Sequence, residues 1–375
     1  MSGVAFGHKK SALFVVNTPY QLLNVLNIIT MENGQYEVDI AMVHPSLEEY
    51  CDIISHVVDD DRIFKYSVFY KAFISHSRFL QRVLLVIEIL IRGNIEGKVE
   101  NDHRVYDYIY VPSAALSCNI VYNHFYRLNR SVELRAYDDG VGTYEGNLVY
   151  RHSAVSLLIY RLYFRERFFM NRLKKLYCYH PEIVILRNMY SEVELEEITM
   201  SPNVRSLYSE SVGLKANAYY GKRVVVFDQG DNPLHGGAVS CIVKILLRQF
   251  TASQILIKGH PRVGKRENYC GIDVVRDGLS FEALQACVDF KETLLIAHSS
   301  TCCITPYLIF GHEPPVIISA NVPLSRKVHS AESDIFTIVK ALYKHPERFQ
   351  IPRSIQELEN SISDLERYSY AIKEQ

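Results

Sequence analysis

Tryptophan is missing from this 375-residue chain, and its aromatic content is carried by 26 Tyr and 17 Phe. An excess of either charge is missing too: 41 Lys+Arg stand against 42 Asp+Glu, a formal net charge of −1. A balanced chain feels no overall pull toward polyanions, so no nucleic-acid partner is expected. No run reaches the roughly 18 apolar residues of a membrane span. The nearest, Val83 to Ile91, stops at Arg92. Lys9 and Lys10 lead into Ser11–Asn17, too short and too strand-like for a signal-peptide core, and a cytoplasmic location is expected. The eight cysteines, at 51, 118, 178, 241, 270, 287, 302 and 303, form no CxxC pair. That excludes a zinc knuckle or thioredoxin-type site and predicts mostly buried thiols. GxGxxG, GxxxxGK(S/T), HExxH and GxSxG are absent as well, which removes the main support for dinucleotide redox, P-loop, zincin and α/β-hydrolase chemistry.

Hydrophobic residues at 48% and charged residues at 22% describe a globular chain long enough for two domains. Short β-branched runs alternate with helical periodicity, the pattern of βαβ units on a parallel sheet. Strands are predicted at Ala12–Val16, Val38–Val43, Tyr108–Val111 and Ser131–Ala136, with helices at Pro19–Met31 and Phe79–Ile91. A second series begins near Lys222, with strands at Arg223–Phe227, Gln254–Ile257, Gly271–Val275, Thr293–Ile296 and Pro315–Ile318. Helices Ala238–Phe250 and Phe281–Val288 fall between these, and Ile355–Ile372 closes the chain. The Glu-rich Tyr190–Ile198, Ser201-Pro202-Asn203 and the polar Ser206–Asn217 form the expected boundary. The fold class is therefore α/β, with two Rossmann-type doubly wound domains, residues 1–215 and 216–375, facing a central cleft. Ligands of such folds lie at the carboxyl ends of strands.

Three groups of polar residues follow predicted strands. Asp138-Asp139-Gly140 places two carboxylates on a tight turn, suited to a general base or to a plain solvated Asp-Gly turn. Lys258-Gly259-His260-Pro261-Arg262 gathers cations and an imidazole fit to hold a phosphate and donate to its leaving oxygen. His-Pro also occurs at 44, 180 and 345, but only the pair at 260 has a strand before it and basic neighbours. Ser299-Ser300-Thr301 puts hydroxyls at an expected helix N-terminus, which serves equally for an anion site and for N-capping. Between the last two groups, Ser280-Phe281-Glu282 opens a helix on which Glu282 can accept from ribose hydroxyls. From Arg151 to Lys175 basic residues interleave with aromatics, a pattern of an interfacial helix on an anionic leaflet or of a buried aromatic stripe.

The order of Asp138-Asp139-Gly140, His260-Pro261, Ser280-Phe281-Glu282 and Ser299-Ser300 resembles that of bacterial sialyltransferases with a GT-B fold. Glycosyltransferase family 52 is the nearest group, and capsular polysialyltransferases share the same signposts. Asn17-Thr18-Pro19-Tyr20-Gln21 is similar to the N-terminal loop of family 52, with Asn17, Thr18 and Gln21 as donor or acceptor contacts. The resemblance spans roughly residues 12 to 310.

It implies an inverting, metal-independent transfer of sialic acid from CMP-sialic acid to a hydroxyl of a surface glycan, without a cofactor. Asp139 would deprotonate the acceptor hydroxyl, supported by Asp138 and Gly140. His260 would act on the leaving phosphate, and Glu282 would hold the ribose. Ser299, Ser300 and Thr301, with Lys258, Gly259, Pro261 and Arg262, would bind the donor. Some family members take their base from the first strand of the second domain, where this chain has Asp228 and Asp231. The implied partners are a CMP-sugar, a glycan or glycolipid acceptor and, through 151–175, the surface of the inner membrane. Alternatives are a capsular polysialyltransferase, a transferase of another CMP-activated nonulosonic acid or Kdo, a nucleotide-sugar epimerase of the same architecture, and an inactive partner subunit.

Overall fold

The computed structural model describes residues 9–43, 45–65, 104–146, 172–185, 192–213, 215–228, 233–259, 268–324 and 334–371. The expected helix Phe79–Ile91 and the basic stretch up to residue 171 lie outside the described residues, as do His260, Pro261, Arg262 and Asp231. The chain divides into two compact units, Met1–Val204 and Arg205–Gln375.

In the first unit, β1 (Lys10–Val16), β2 (Tyr36–Met42), β3 (Ile63–Lys65), β4 (Tyr108–Val111), β5 (Glu133–Tyr137), β6 (Leu173–Cys178) and β7 (Glu194–Glu197) form one sheet. Its order is β3-β2-β1-β4-β5-β6-β7, and every neighbouring pair is parallel. Helices α1 (Pro19–Met31), α2 (Cys51–Ser55), α3 (Leu116–Leu128) and α4 (Val141–Tyr144) accompany it. The central strands are unbroken apolar runs because both faces are covered. Leu13, Val15, Ile109, Val111 and Leu134 form the core with Val121 and Phe125 of α3. The strand order reverses between β1 and β4, the place where open α/β sheets leave a crevice.

Helix α5 (Pro202–Val212) runs through the division between the units. The second unit contains β8 (Val224–Phe227), β9 (Ile255–Lys258), β10 (Asn268–Tyr269), β11 (Ile272–Val275), β12 (Leu294–Ala297), β13 (Val316–Ile318) and β14 (Phe349–Gln350). Its sheet order is β10-β11-β9-β8-β12-β13-β14. All pairs are parallel except the β10–β11 hairpin. Its helices are α6 (Pro233–Leu246), α7 (Phe281–Gln285), α8 (Thr305–Phe310), α9 (Asp334–Leu342) and α10 (Ile355–Ala371). Val224, Val226, Ile257 and Ile296 meet Val243 of α6 and Ile362 of α10 in a second core. The reversal in this sheet lies between β8 and β12.

The division at Val204/Arg205 falls within the expected boundary stretch, whose Glu-rich part is the edge strand β7, paired with β6 and with Glu194 and Glu196 reaching Lys175 at 2.9 and 3.1 Å. The polar segment after it holds α5. The described end of the basic stretch passes from Arg172 into β6 at Leu173, and the Arg172 guanidinium lies 3.8 Å from the Tyr126 ring centroid. Helix α6 starts at Pro233, so Gly236 and Gly237 are inside it rather than ahead of it. Of the eight free cysteines only Cys118, Cys178 and Cys303 are buried, and Cys270 is exposed.

Candidate functional site

The acid pair follows β5, where Asp138 and Asp139 have separate fates. Gly140 has φ of 98°, a conformation that favours glycine, and it turns the chain straight into the single turn of α4. That turn folds back onto both acids. The N–H of Gly140 and the hydroxyl of Tyr144 each donate to Asp138 at 2.6 Å. The N–H of Asp139 donates to Thr143 Oγ1 at 2.8 Å. Asp138 is fully buried and Asp139 half-buried, so only the second acid meets the surface.

Helix α1 holds the pair from the other side. Thr18 caps it, its hydroxyl accepting from the N–H of Gln21, and Pro19 occupies the first turn, where no N–H is needed. The side chain of Gln21 donates to Asp139 Oδ1 at 2.5 Å and accepts from the N–H of Asn17 at 2.7 Å. One turn on, Asn24 donates to the carbonyl of Asp138 at 2.9 Å and accepts from the Tyr179 hydroxyl at 2.8 Å. The Asn27 side chain donates to Tyr179 and accepts from the N–H of Ser201. The tertiary fold thus brings Asn17, Thr18, Gln21, Asp138, Asp139 and Gly140 together. Asn24, Asn27, Tyr144 and Tyr179 carry no motif in the sequence and join the site only in the folded chain. The available signal was three amides, Gln21, Asn24 and Asn27, at spacing of three on an otherwise apolar helix.

Burial pushes the Asp138 carboxyl up to about 6, with the Tyr144 and Gly140 hydrogen bonds pulling the other way. The folded value exceeds the ordinary 3.8, so between the two the folded protein holds a proton that the unfolded chain has released. Stability from this group is therefore complete at acid pH and is lost as pH rises through about 6. The stability advantage of wild type over Asp138→Asn should shrink from pH 4 to pH 7 in paired thermal melts. A difference that is flat across this range would place the proton on another group.

In the second unit the expected donor residues divide by burial. Lys258, at the end of β9, is 4% exposed, and its ammonium donates to Asp277 Oδ1 at 2.7 Å and to the carbonyl of Leu279 at 2.8 Å. This corrects its assignment as an open phosphate contact: it holds the turn that leads into α7. Tyr219 donates to the other oxygen of Asp277. The N–H of Gly259 is likewise committed, to the carbonyl of Val275 at 2.9 Å. A Cβ there would stand 2.9 Å from Val274 and Arg276, so glycine serves close packing. Glu282 is buried on α7 behind its Ser280 cap and accepts from Thr305 at 3.1 Å; burial raises its carboxyl above the usual range. Asp228, after β8, is buried with the Arg276 guanidinium 3.6 Å away and the Tyr269 hydroxyl at 3.4 Å.

Ser299 is exposed, and Ser300 and Thr301 are half-buried beyond β12, next to the strand reversal. The expected helix start is one 3₁₀ turn, Thr301–Cys303, capped by Ser300, with the six-residue α8 following separately. His298, buried at the end of β12, was given no role by the sequence argument.

One aspartate triplet, Asp59-Asp60-Asp61, has the Asp-x-Asp spacing of many metal-dependent sugar-nucleotide enzymes. It precedes β3 and so lies at the amino end of the first sheet, whereas Asp138 and Asp139 lie at the carboxyl end. Among the described residues no group of three or more His, Cys, Asp or Glu is placed to hold a metal, and no helix is long and apolar enough to cross a membrane.

No family model matches the chain, and no curated protein matches it in sequence. Solved structures do match over nearly all its length. UDP-N-acetylglucosamine 2-epimerase from Rickettsia bellii is 11% identical, with 96% of this chain and 88% of that one covered at a TM-score of 0.52. S. aureus MnaA in its UDP co-structure is 9% identical, with 95% and 87% covered at 0.51. An α/β-galactoside α-2,3-sialyltransferase from the luminous marine bacterium Photobacterium phosphoreum is 12% identical, with 94% and 100% covered at 0.48. At such identities the likeness is one of fold, and the chain is α/β and GT-B-like, with two Rossmann-type units.

Proposed function

We propose that this chain is a glycosyltransferase that moves sialic acid from CMP-sialic acid to a hydroxyl of a bacterial surface glycan, with inversion and without a metal. The observation that carries the reading is the acid site: a half-buried Asp139 at the carboxyl end of β5, set apart from the fully buried Asp138 and held by Gln21. The ordered motifs of the sequence supply the donor side.

In this mechanism Asp139 takes the proton of the acceptor hydroxyl as its oxygen bonds to the anomeric carbon. The bond from that carbon to the phosphate oxygen breaks, and its electrons leave with CMP. The transition state is oxocarbenium-like, so a nearby carboxylate and a donor on the departing phosphate both act where charge develops. His260 is the donor assigned by sequence, and the hydroxyls of Ser299, Ser300 and Thr301 suit a phosphate of single ester charge. Glu282, set on the ribose by the resemblance, is as buried as Lys258 and bonded to Thr305, so it is not counted among the donor contacts. Asp228 is the weaker candidate base, since its carboxylate faces Arg276.

The test combines calorimetry with CMP, UDP and GDP and turnover of CMP-sialic acid in EDTA. CMP should bind best, and full turnover should survive EDTA. Abolition by EDTA with rescue by magnesium would overturn the metal-free mechanism. Conversion of a UDP-sugar without any acceptor would favour the epimerase alternative instead.

A further inference from the structure

Gln21 stands where two duties meet. It is the third residue of α1, the position from which a Gln or Glu commonly reaches back to cap the helix start. Here its carbonyl oxygen reaches one residue further, past the Thr18 cap, and accepts from the N–H of Asn17 at 2.7 Å. A backbone N–H can only donate, which assigns Oε1 to that end of the amide and the NH₂ group to the other. The NH₂ group points at Asp139 Oδ1, 2.5 Å away. Gln21 is 3% exposed, too enclosed to be the substrate contact that the sequence suggested. The first turn of α1 also brings the positive end of the helix dipole to the same carboxylate.

We infer that Gln21 is a positioning residue for Asp139: the bond to Asn17 locks its amide, and the locked NH₂ fixes the carboxylate that receives the acceptor's proton. This rests on the base assignment proposed above. An N–H donor of fixed direction restrains carboxylate rotation and favours the anionic form a base requires. Capping alone would be served equally well by glutamate, which accepts from Asn17 but has no N–H for Asp139. Gln21→Glu therefore removes the N–H at nearly constant shape, and because two carboxylates this close do not both ionise, the new carboxyl and Asp139 share one proton.

The experiment has two arms, both on the full chain. In the first, ¹⁵N-glutamine labelling follows side-chain amide exchange, with the Gln21 pair assigned by its loss in Gln21→Glu. Exchange of that pair should be slow in wild type and at least several-fold faster in Asp139→Ala; an unchanged rate would overturn the contact. In the second, Gln21→Glu should lower kcat for CMP-sialic acid by about 10²-fold, the scale of a misplaced catalytic group, with KM within a few-fold. Adding Gln21→Glu to Asp139→Ala should cost nothing further, because one residue acts through the other. Additive losses, or near-normal kcat in Gln21→Glu, would overturn the role of Gln21 and leave the base reading intact. Near-normal activity in Asp139→Ala would overturn both. The exchange arm needs no substrate, so a wild type without turnover removes the CMP-sialic acid reading and leaves Gln21 to be decided by its amide.

Discussion

Asp139→Asn should lower kcat by about 10²–10⁴-fold, the range for a lost general base, while the KM for CMP-sialic acid changes little. The substitution is isosteric, and the new side-chain carbonyl can still accept from Gln21, so the site keeps its shape and loses only the acceptor of a proton. The neighbouring acid cannot take over, because Asp138 is fully buried with its carboxylate bound to Gly140 and Tyr144. Initial rates with donor and acceptor both saturating give kcat directly, and CMP titration checks that nucleotide binding is unaffected. Activity within a few-fold of wild type would remove the base role from Asp139. Asp228 could assume that role only by giving up Arg276, which lies 3.6 Å from its carboxylate.

Lys258→Met should act on stability before it acts on chemistry. Its ammonium and the Asp277 carboxylate are 4% and 10% exposed, and removing one member of such a pair strands the other charge. The expected cost is about 3–5 kcal/mol, seen as a fall in melting temperature on the order of 10 °C. The stem of Met fills the former path of Lys, so the loss reports the charge rather than a cavity. Scanning calorimetry supplies the measurement, and CMP titration well below the melting temperature supplies the contrast. An unchanged melting temperature with weakened CMP affinity would restore Lys258 to the phosphate.

How far a residue's role can be read in sequence follows from the range of the forces that set it. Helix α1 is legible to the residue, since Thr18, Pro19 and the apolar spacing up to Met31 are local signals. The buried strands are legible as short β-branched runs, β4 from Tyr108 to Val111 among them. The four-residue Glu194–Glu197 was not legible, because helix-favouring glutamates give no local strand signal and the segment becomes a strand through its long-range backbone pairing with β6.

The same divide runs through the candidate site. By itself the sequence placed acids, cations and hydroxyls after strands, because a strand that must be apolar throughout leaves polar residues to its ends. It could not assign them duties. Asp138 and Asp139 are adjacent and chemically alike, and what separates them is Tyr144 folding back while Gln21 and Asn24 arrive from more than a hundred residues away. Lys258 looks like an open phosphate ligand until Asp277 and Leu279 close on it. Burial and long-range pairing decide which polar group is held internally and which faces a ligand, and neither exists before the chain has folded.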